Sequence, residues 1–333
     1  MRIAVFGAGS IGCHLGGMLA GVAEVTLIGR PSVMDPLRSE GLTLTGGGRA
    51  DRHVTGLRLS TDPGAAAEAD YVLVTVKSGA TKGAAAELAG VGGDAVVVSF
   101  QNGLHNPRLL RDGLPGREVL AGMVPYNVAR TAPAHFHQGT FGRLMLDAGP
   151  RSAPLVAALE RAGLPTEARS DMPGVQHAKL LMNLNNAVNA LSGLPLRDQL
   201  GQRAYRACLA LCQREALAAY RAAGIRPARV SPVPPGLMPF VLGLPDGVFR
   251  RLAASTLRVD ARARSSMWDD LRQGRPTEIG ELQGEITALA ERHGTPAPAN
   301  ARLAELVRLA ETEGARAWTG PELLAELRTA RDA

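Results

Sequence analysis

Lysine is nearly absent from this chain. Of its 37 basic residues only Lys77, Lys82 and Lys179 are lysine; the other 34 are arginine. Arginine supplies charge and phosphate contacts but holds its proton near neutral pH, whereas a lysine releases one when burial or neighbours lower its pKa. Lys179 lies in an apolar, Asn-laden stretch, His177-Ala178-Lys179-Leu180-Leu181-Met182-Asn183, and reads as a general acid. Lys82, in a helix expected over 79–88, reads as surface. Cysteine is equally scarce. Cys13, Cys208 and Cys212 are too few and too badly spaced for a disulfide framework or a zinc site, and no metal is expected. Aromatic residues make up 4% of the chain, and a net charge of +6 is spread without clusters, which argues against nucleic-acid binding. No apolar run reaches the ~18 residues that a membrane helix needs, and a motif of cofactor type begins in the first strand, so a cytoplasmic protein without a signal peptide is expected. The 333 residues predict two domains.

What is present starts at residue 2. Arg2–Phe6 is a short apolar run, then come Gly7-Ala8-Gly9-Ser10-Ile11-Gly12 and an apolar-periodic helix through Leu19. Strand, Gly-x-Gly-x-x-Gly and helix together predict a dinucleotide site. Gly7 allows the tight turn, Gly9 the approach of a pyrophosphate and Gly12 close packing of helix on strand, with the phosphates at the helix N-terminus. The next strand, Glu24–Ile28, is followed by Arg30 where NAD sites carry an acid; an arginine there suits a 2′-phosphate, so NADP(H) is the expected cofactor. Strands over Asp70–Val76 and Ala95–Phe100 run into Lys77 and into Gln101-Asn102-Gly103. Both fall at strand carboxyl ends, where ligands gather in an open α/β sheet. Asn102 reads as a contact to cofactor and substrate, although an Asn-Gly turn alone would also account for it. After a segment over Val119–Val128, whose last residue joins the cofactor-binding set, Phe136–Asp147 alternates and reads as an antiparallel addition to the sheet. His135 and His137 share one face of it, without a third metal ligand. Helical or apolar runs over Ala153–Ala162 and Leu164–Ala168 complete the domain.

From Pro173 onward strand signals nearly vanish. Helical periodicity covers 174–192, 199–223, 237–257, 263–273, 278–293 and 299–313. The chain is therefore expected to be an α/β protein: a Rossmann-type doubly wound sheet over 1–169, then an all-helical domain for substrate and dimerisation over 170–333, with the site in the cleft between them. Lys179, Asn183 and Asn186 stand at i, i+4 and i+7, within roughly 60° of one another around a helix, and form a stripe that could grip a carboxylate or hydroxyl. Ser265-Ser266 predicts a helix cap, Trp268 a large apolar wall nearby, and Thr277 or Glu278 the start of the next helix.

Taken together, GAGSIG at 7–12, Lys77, QNG at 101–103, K-x-x-x-N at 179–183 and SSM-x-x-D with TEI at 265–279 resemble the ketopantoate reductases (2-dehydropantoate 2-reductases). The resemblance spans nearly the whole chain. It implies an NADPH-dependent oxidoreductase of pantothenate synthesis with a helical domain like the C-terminal domain of 6-phosphogluconate dehydrogenase. Carried over, Lys179 is the proton donor and Asn102 a contact to cofactor and substrate. Asn183 and Ser266 bind substrate, while Asn186 is a candidate substrate contact from its spacing alone. Glu278 is the acid beside cofactor and reacting centre, biasing the lysine toward its charged form, and Arg30 and Lys77 contact NADP. The chain departs from the pattern at Ala187, where a second Asn is common, near Arg197, and at Val124-Pro125-Tyr126-Asn127. These departures fall on the substrate pocket. The reaction expected is reduction of a 2-oxo acid. Its rivals are another carbonyl or imine substrate, or an NADP-binding sensor without turnover. The expected partner is a small 2-oxo acid, with neither nucleic acid nor membrane, and a homodimer is the candidate assembly.

Overall fold

The computed structural model describes residues 1–252, 260, 263–314 and 316–332. Met1–Met172 and Pro173–Ala333 form two compact units.

The first unit holds twelve strands: β1 (Arg2–Phe6), β2 (Glu24–Ile28), β3 (Leu42–Gly46), β4 (Arg52–Val54), β5 (Arg58–Ser60), β6 (Tyr71–Val74), β7 (Val96–Ser99), β8 (Val119–Met123), β9 (Val128–Ala132), β10 (His135–Gln138), β11 (Leu144–Asp147) and β12 (Thr166–Arg169). Its helices are α1 (Ser10–Leu19), α2 (Pro31–Glu40), α3 (Thr81–Ala89), α4 (Asn106–Gly113) and α5 (Ala153–Arg161). Eight strands make the main sheet, in the order β12-β11-β8-β7-β6-β1-β2-β5. From β5 to β8 all pairings are parallel, while β11 runs antiparallel to β8 and β12 parallel to β11. The apolar runs are unbroken because both faces of the sheet are covered. Ile3, Val5, Leu73 and Val98 pack into one core, and Ala4, Phe6, Val72, Val74 and Val97 into the other. Strand order reverses at β1, which lies between β2 and β6. The carboxyl ends of β1 and β6 therefore open on a topological switch point, where such sheets bind ligands.

The second sheet, β4-β3-β10-β9, has no counterpart in the sequence reading. Its strands are three to five residues long and are interrupted by Gly46, Gly47 and Gly48, all at positive φ, so no periodicity builds up. Two expectations change as a result. The segment expected over Val119–Val128 divides at Pro125 into β8 and β9, which lie in different sheets. Phe136–Asp147 likewise divides, and only β11 is the antiparallel addition to the main sheet. His135 and His137 do share a face of β10, with buried Phe136 on the other. Among the described residues no three metal-ligating side chains gather.

The second unit is built of helices α6 (Met172–Asn183), α7 (Asn185–Ser192), α8 (Leu196–Leu200), α9 (Arg203–Ala222), α10 (Met238–Leu242), α11 (Asp246–Leu252), α12 (Ser266–Arg272), α13 (Gln283–Arg292), α14 (Pro298–Glu313) and α15 (Gly320–Asp332). The helix expected over 237–257 is two short ones, parted around Pro245, and its last residues lie outside the described part of the chain. α13 starts at Gln283, so Thr277 and Glu278 stand in the preceding turn instead of opening the helix. Gly280, within that turn, delays it. α15 was absent from the sequence reading. None of the described helices is long and apolar enough to cross a membrane.

Candidate active site

In the first unit the chain leaves β1 through Gly7, whose φ of 108° is open to glycine and strained for other residues. The turn is held from two sides: Gly7 and Ala8 donate their amides to Ile28 O at 3.0 and 3.1 Å, and Thr75 Oγ1 donates to Gly7 O at 2.6 Å. A Cβ on Gly12 would lie 2.3 Å from Gly7 O and 2.6 Å from Thr75 Oγ1, so only glycine lets α1 start this close to the end of the strand. Nothing lies within 4 Å of a Cβ placed on Gly9. No side chain caps α1 and its first turn carries no acid. Ser10 and Ile11 are half-buried at its opening. This is an anion seat at a helix N-terminus, with room above the second glycine, and it fits the pyrophosphate of a dinucleotide. Arg30 and Lys77 are both exposed, one at the N-cap of α2 and the other just beyond β6.

Asn102 is fixed by a polar network that the sequence reading missed. Gln101 Nε2 donates to Val76 O at 3.0 Å and to Thr81 Oγ1 at 2.7 Å, while its Oε1 accepts from Ser99 Oγ at 3.0 Å. Ser78 Oγ donates to Asn102 O at 2.7 Å, and Asn106 Nδ2 donates to the same oxygen and to Ser78 Oγ. Thr81 Oγ1 closes the network on Asn106 Oδ1 at 2.7 Å. These bonds tie the ends of β6 and β7 together, and so set Lys77 and Asn102 on one rim. The signal was available: Gln101 adjoins the candidate Asn102 at the end of an apolar strand, and an amide buried there needs partners. Val128 does not belong to this rim. It is buried in the core, as the first residue of β9 at the edge of the second sheet. Tyr126 is buried as well, with its ring edge toward His14 at 5.2 Å between centroids, so this departure from the family pattern is a packing contact inside the unit. Burial pushes His14 down to about 4 and the Tyr126 hydroxyl up, leaving both neutral.

In the second unit Lys179 lies one turn before the end of α6, half-buried. Burial lowers its pKa to about 8, a direction opposite to the bias toward charge expected from Glu278. The helix is interrupted at Leu184 and resumes as α7. Asn183 is therefore the last residue of α6, and half-buried Asn186 stands on α7. Ala187 is fully buried, so no part of it lines a cleft. Arg197 is exposed on α8. Ser265 is the cap of α12: its Oγ accepts from Trp268 N at 3.2 Å and donates to Asn186 O at 3.2 Å, while its amide donates to Asn189 Oδ1 at 2.8 Å. Buried Asn189 thus locks α12 onto α7 and places half-buried Ser266 beside Asn186's helix. Trp268 is not a plain apolar wall. Arg264 and Arg272 hold their guanidinium carbons 4.2 and 5.2 Å from its ring centroid. Buried Asp270 pairs with Arg275 at 3.0 Å and pins the turn leading to Thr277 and Glu278.

The chain matches known proteins over both units. The family model for ketopantoate reductase PanE/ApbA matches residues 3–151, and the model for its C-terminal part matches residues 171–311. A 2-dehydropantoate 2-reductase of Halobacterium salinarum is 32% identical over 326 residues, covering 94% of this chain and 100% of the relative. One from Pyrococcus horikoshii is 27% identical and covers 94% and 99%. Among solved structures, a PanE/ApbA family ketopantoate reductase from Ralstonia eutropha superposes with a TM-score of 0.79 at 32% identity, covering 94% of this chain and 99% of that one. D-Mandelate dehydrogenase shares the fold, with a TM-score of 0.76 at 18% identity. With both parts of the family model matched and a curated relative aligned from end to end, this chain belongs to the ketopantoate reductase family.

Proposed function

We propose that this protein reduces the keto group of 2-dehydropantoate to a hydroxyl with NADPH. The observation that carries the reading is Lys179, a half-buried amine whose pKa burial brings to about 8, one turn before Asn183 on α6 in a chain of this family. When bound, NADPH supplies the hydride that the carbonyl carbon receives. The backbone from Gly7 to Gly12 would hold its pyrophosphate, Arg30 and Lys77 its 2′-phosphate, and Asn102 and Glu278 would lie beside the reacting end. Val128, being core, drops out of this set. Lys179 donates a hydrogen bond to the substrate's keto oxygen, and as negative charge develops there its Nζ releases the proton to it. Asn183, Asn186 and Ser266 hold the carboxylate and hydroxyl groups. Lys179 is then recharged by a proton from solvent. Loss of NADPH absorbance with a panel of 2-oxo acids tests the reading, and no consumption with 2-dehydropantoate would sink it.

A second substrate reading has its own support. Ala187 offers no carboxamide and is fully buried, while half-buried Asn186 stands beside it on α7, past the interruption at Leu184. A displaced polar contact favours a 2-oxo acid larger than ketopantoate. The same panel decides: if ketopantoate has the highest kcat/KM, undiminished by Asn186→Ala, the altered-pocket reading is refuted.

Cofactor choice gives a further expected result. Arg30→Ala removes a charge-assisted phosphate contact and should weaken NADPH binding by about 1.5–3 kcal/mol, leaving NADH binding nearly unchanged. Dissociation constants by titration check this, and equal values for NADPH and NADH in the unmodified protein would contradict it.

A further inference from the structure

Helix α6 is gripped along its backbone. Tyr220 OH donates to His177 O at 3.2 Å, Gln213 Nε2 to Leu181 O at 3.0 Å and Gln283 Nε2 to Leu184 O at 2.8 Å. Tyr220 and Gln213 come from α9 and Gln283 from α13. Residues 177, 181 and 184 are spaced i, i+4, i+7, within about 60° of one another and roughly 140–200° around the helix from Lys179. The three donors thus hold α6 from the side opposite its lysine. The last of them takes the carbonyl at Leu184, where α6 ends and α7 begins.

The two glutamines are poor choices for stability alone. Both are buried, Gln213 at 3% and Gln283 at 0% exposure. Because each faces a carbonyl, its amide nitrogen must point inward, which fixes where Oε1 lies. Among the described residues neither Oε1 has a hydrogen-bond partner. An unpaired buried acceptor is destabilising, and methionine, of similar length, would fill either site without one. What a glutamine adds is a directed bond that sets the roll of α6 and the step at Leu184.

We propose that Gln213 and Gln283, together with Tyr220, are positioning residues for the reduction, fixing the roll of α6 and its step into α7 so that Lys179 and the Asn183 and Asn186 amides meet the substrate in one register. The inference rests on the reading of Lys179 as proton donor.

Gln213→Met and Gln283→Met, singly and together, test it through Tm, NADPH dissociation constant, and kcat and KM as functions of pH. The expected result is a Tm held or raised, an unchanged NADPH constant, and a kcat lowered about 10–100-fold, the scale of a misplacement near 1 Å. The basic limb of kcat should also move from about pH 8 toward that of an ordinary lysine, as the amine is no longer held in its buried position. A purely structural role would not move that limb. An unchanged kcat and limb, or a kcat loss that merely follows a falling Tm, overturns the inference. Should the methionine variants not fold, Tyr220→Phe asks the same question. It removes one hydroxyl and keeps the ring, which stands edge-on to His177 at 5.1 Å. A lower kcat at equal Tm supports the proposal, and an unchanged kcat and limb overturns it. Lys179→Ala separates the two readings. If that variant is fully active, the proton-donor reading fails. If it is inactive while the glutamine variants behave as the unmodified protein, only the positioning inference fails.

Discussion

Lys179→Ala is expected to lower turnover by about 10²–10⁴-fold, the usual contribution of a general acid. Lys179→Arg should not restore it, because a guanidinium keeps its charge but does not release its proton near neutral pH. The pH profile carries the same argument. The donor must be protonated, and burial places its pKa at about 8 in place of the ordinary 10.5, so turnover should fall as pH rises through about 8. The sign for stability follows. The folded pKa is lowered, so between about 8 and 10.5 the unfolded chain binds more protons than the folded one, and this group's contribution to stability rises with pH across that window. Steady-state kinetics of the two variants and of the unmodified enzyme check these statements. Full activity in the arginine variant would reduce Lys179 to a fixed charge, and a basic limb near 10.5 would remove the burial argument.

Arg206→Met is expected to destabilise the helical unit by about 3–5 kcal/mol, because three backbone carbonyls lose a charged donor at ~1–3 kcal/mol each. Arg206, on α9, is fully buried. Its Nε donates to Leu242 O at 3.0 Å, Nη1 to Leu200 O at 2.9 Å and Nη2 to Leu244 O at 2.7 Å. Nη2 also pairs with Asp246 at 2.9 Å, and the guanidinium carbon sits 4.1 Å from the centroid of the Phe249 ring. One planar fork thus binds α8, α10, α11 and their connections to α9. Methionine fills much of the stem's volume and leaves three carbonyls without this donor. Lysine, with a single nitrogen, cannot reach three carbonyls on separate segments, so Arg206→Lys should recover little. At about 2–4 °C per kcal/mol for a unit of this size, the melting temperature should drop by roughly 6–20 °C. Calorimetry checks it, and a Tm within a degree or two of the unmodified protein would show that the fork is dispensable.

The elements legible in the sequence are those whose signal is local. β1, the glycine turn and α1 announce themselves within 18 residues, because strand, turn and helix each impose a composition that no neighbour needs to supply. The cap at Ser265 is of the same kind, since its hydroxyl serves the amide three residues on. Long amphipathic helices such as α9 and α14 were also readable, whereas α13 was placed five residues early because a turn with an acid resembles a helix start. The second sheet was invisible, as its short strands pair across large sequence separations, β10 with β3 for example.

For the candidate site, residue types and spacing suffice to propose Lys179, Asn102 and the arginine after β2, since the proposed proton donation, amide contact and phosphate binding each demand a particular functional group. What surrounds those groups was decided in three dimensions. Val128 entered the core and Tyr126 packed on His14. Gln101, Thr81 and Asn106 joined in one network, and Gln213 and Gln283 reached α6 from helices 32 and 99 residues away in sequence. A functional group is a property of one residue and can be read from the chain, but burial and hydrogen-bond partnership are properties of pairs. Most of these pairs are distant in sequence, so they come into being only when the chain folds.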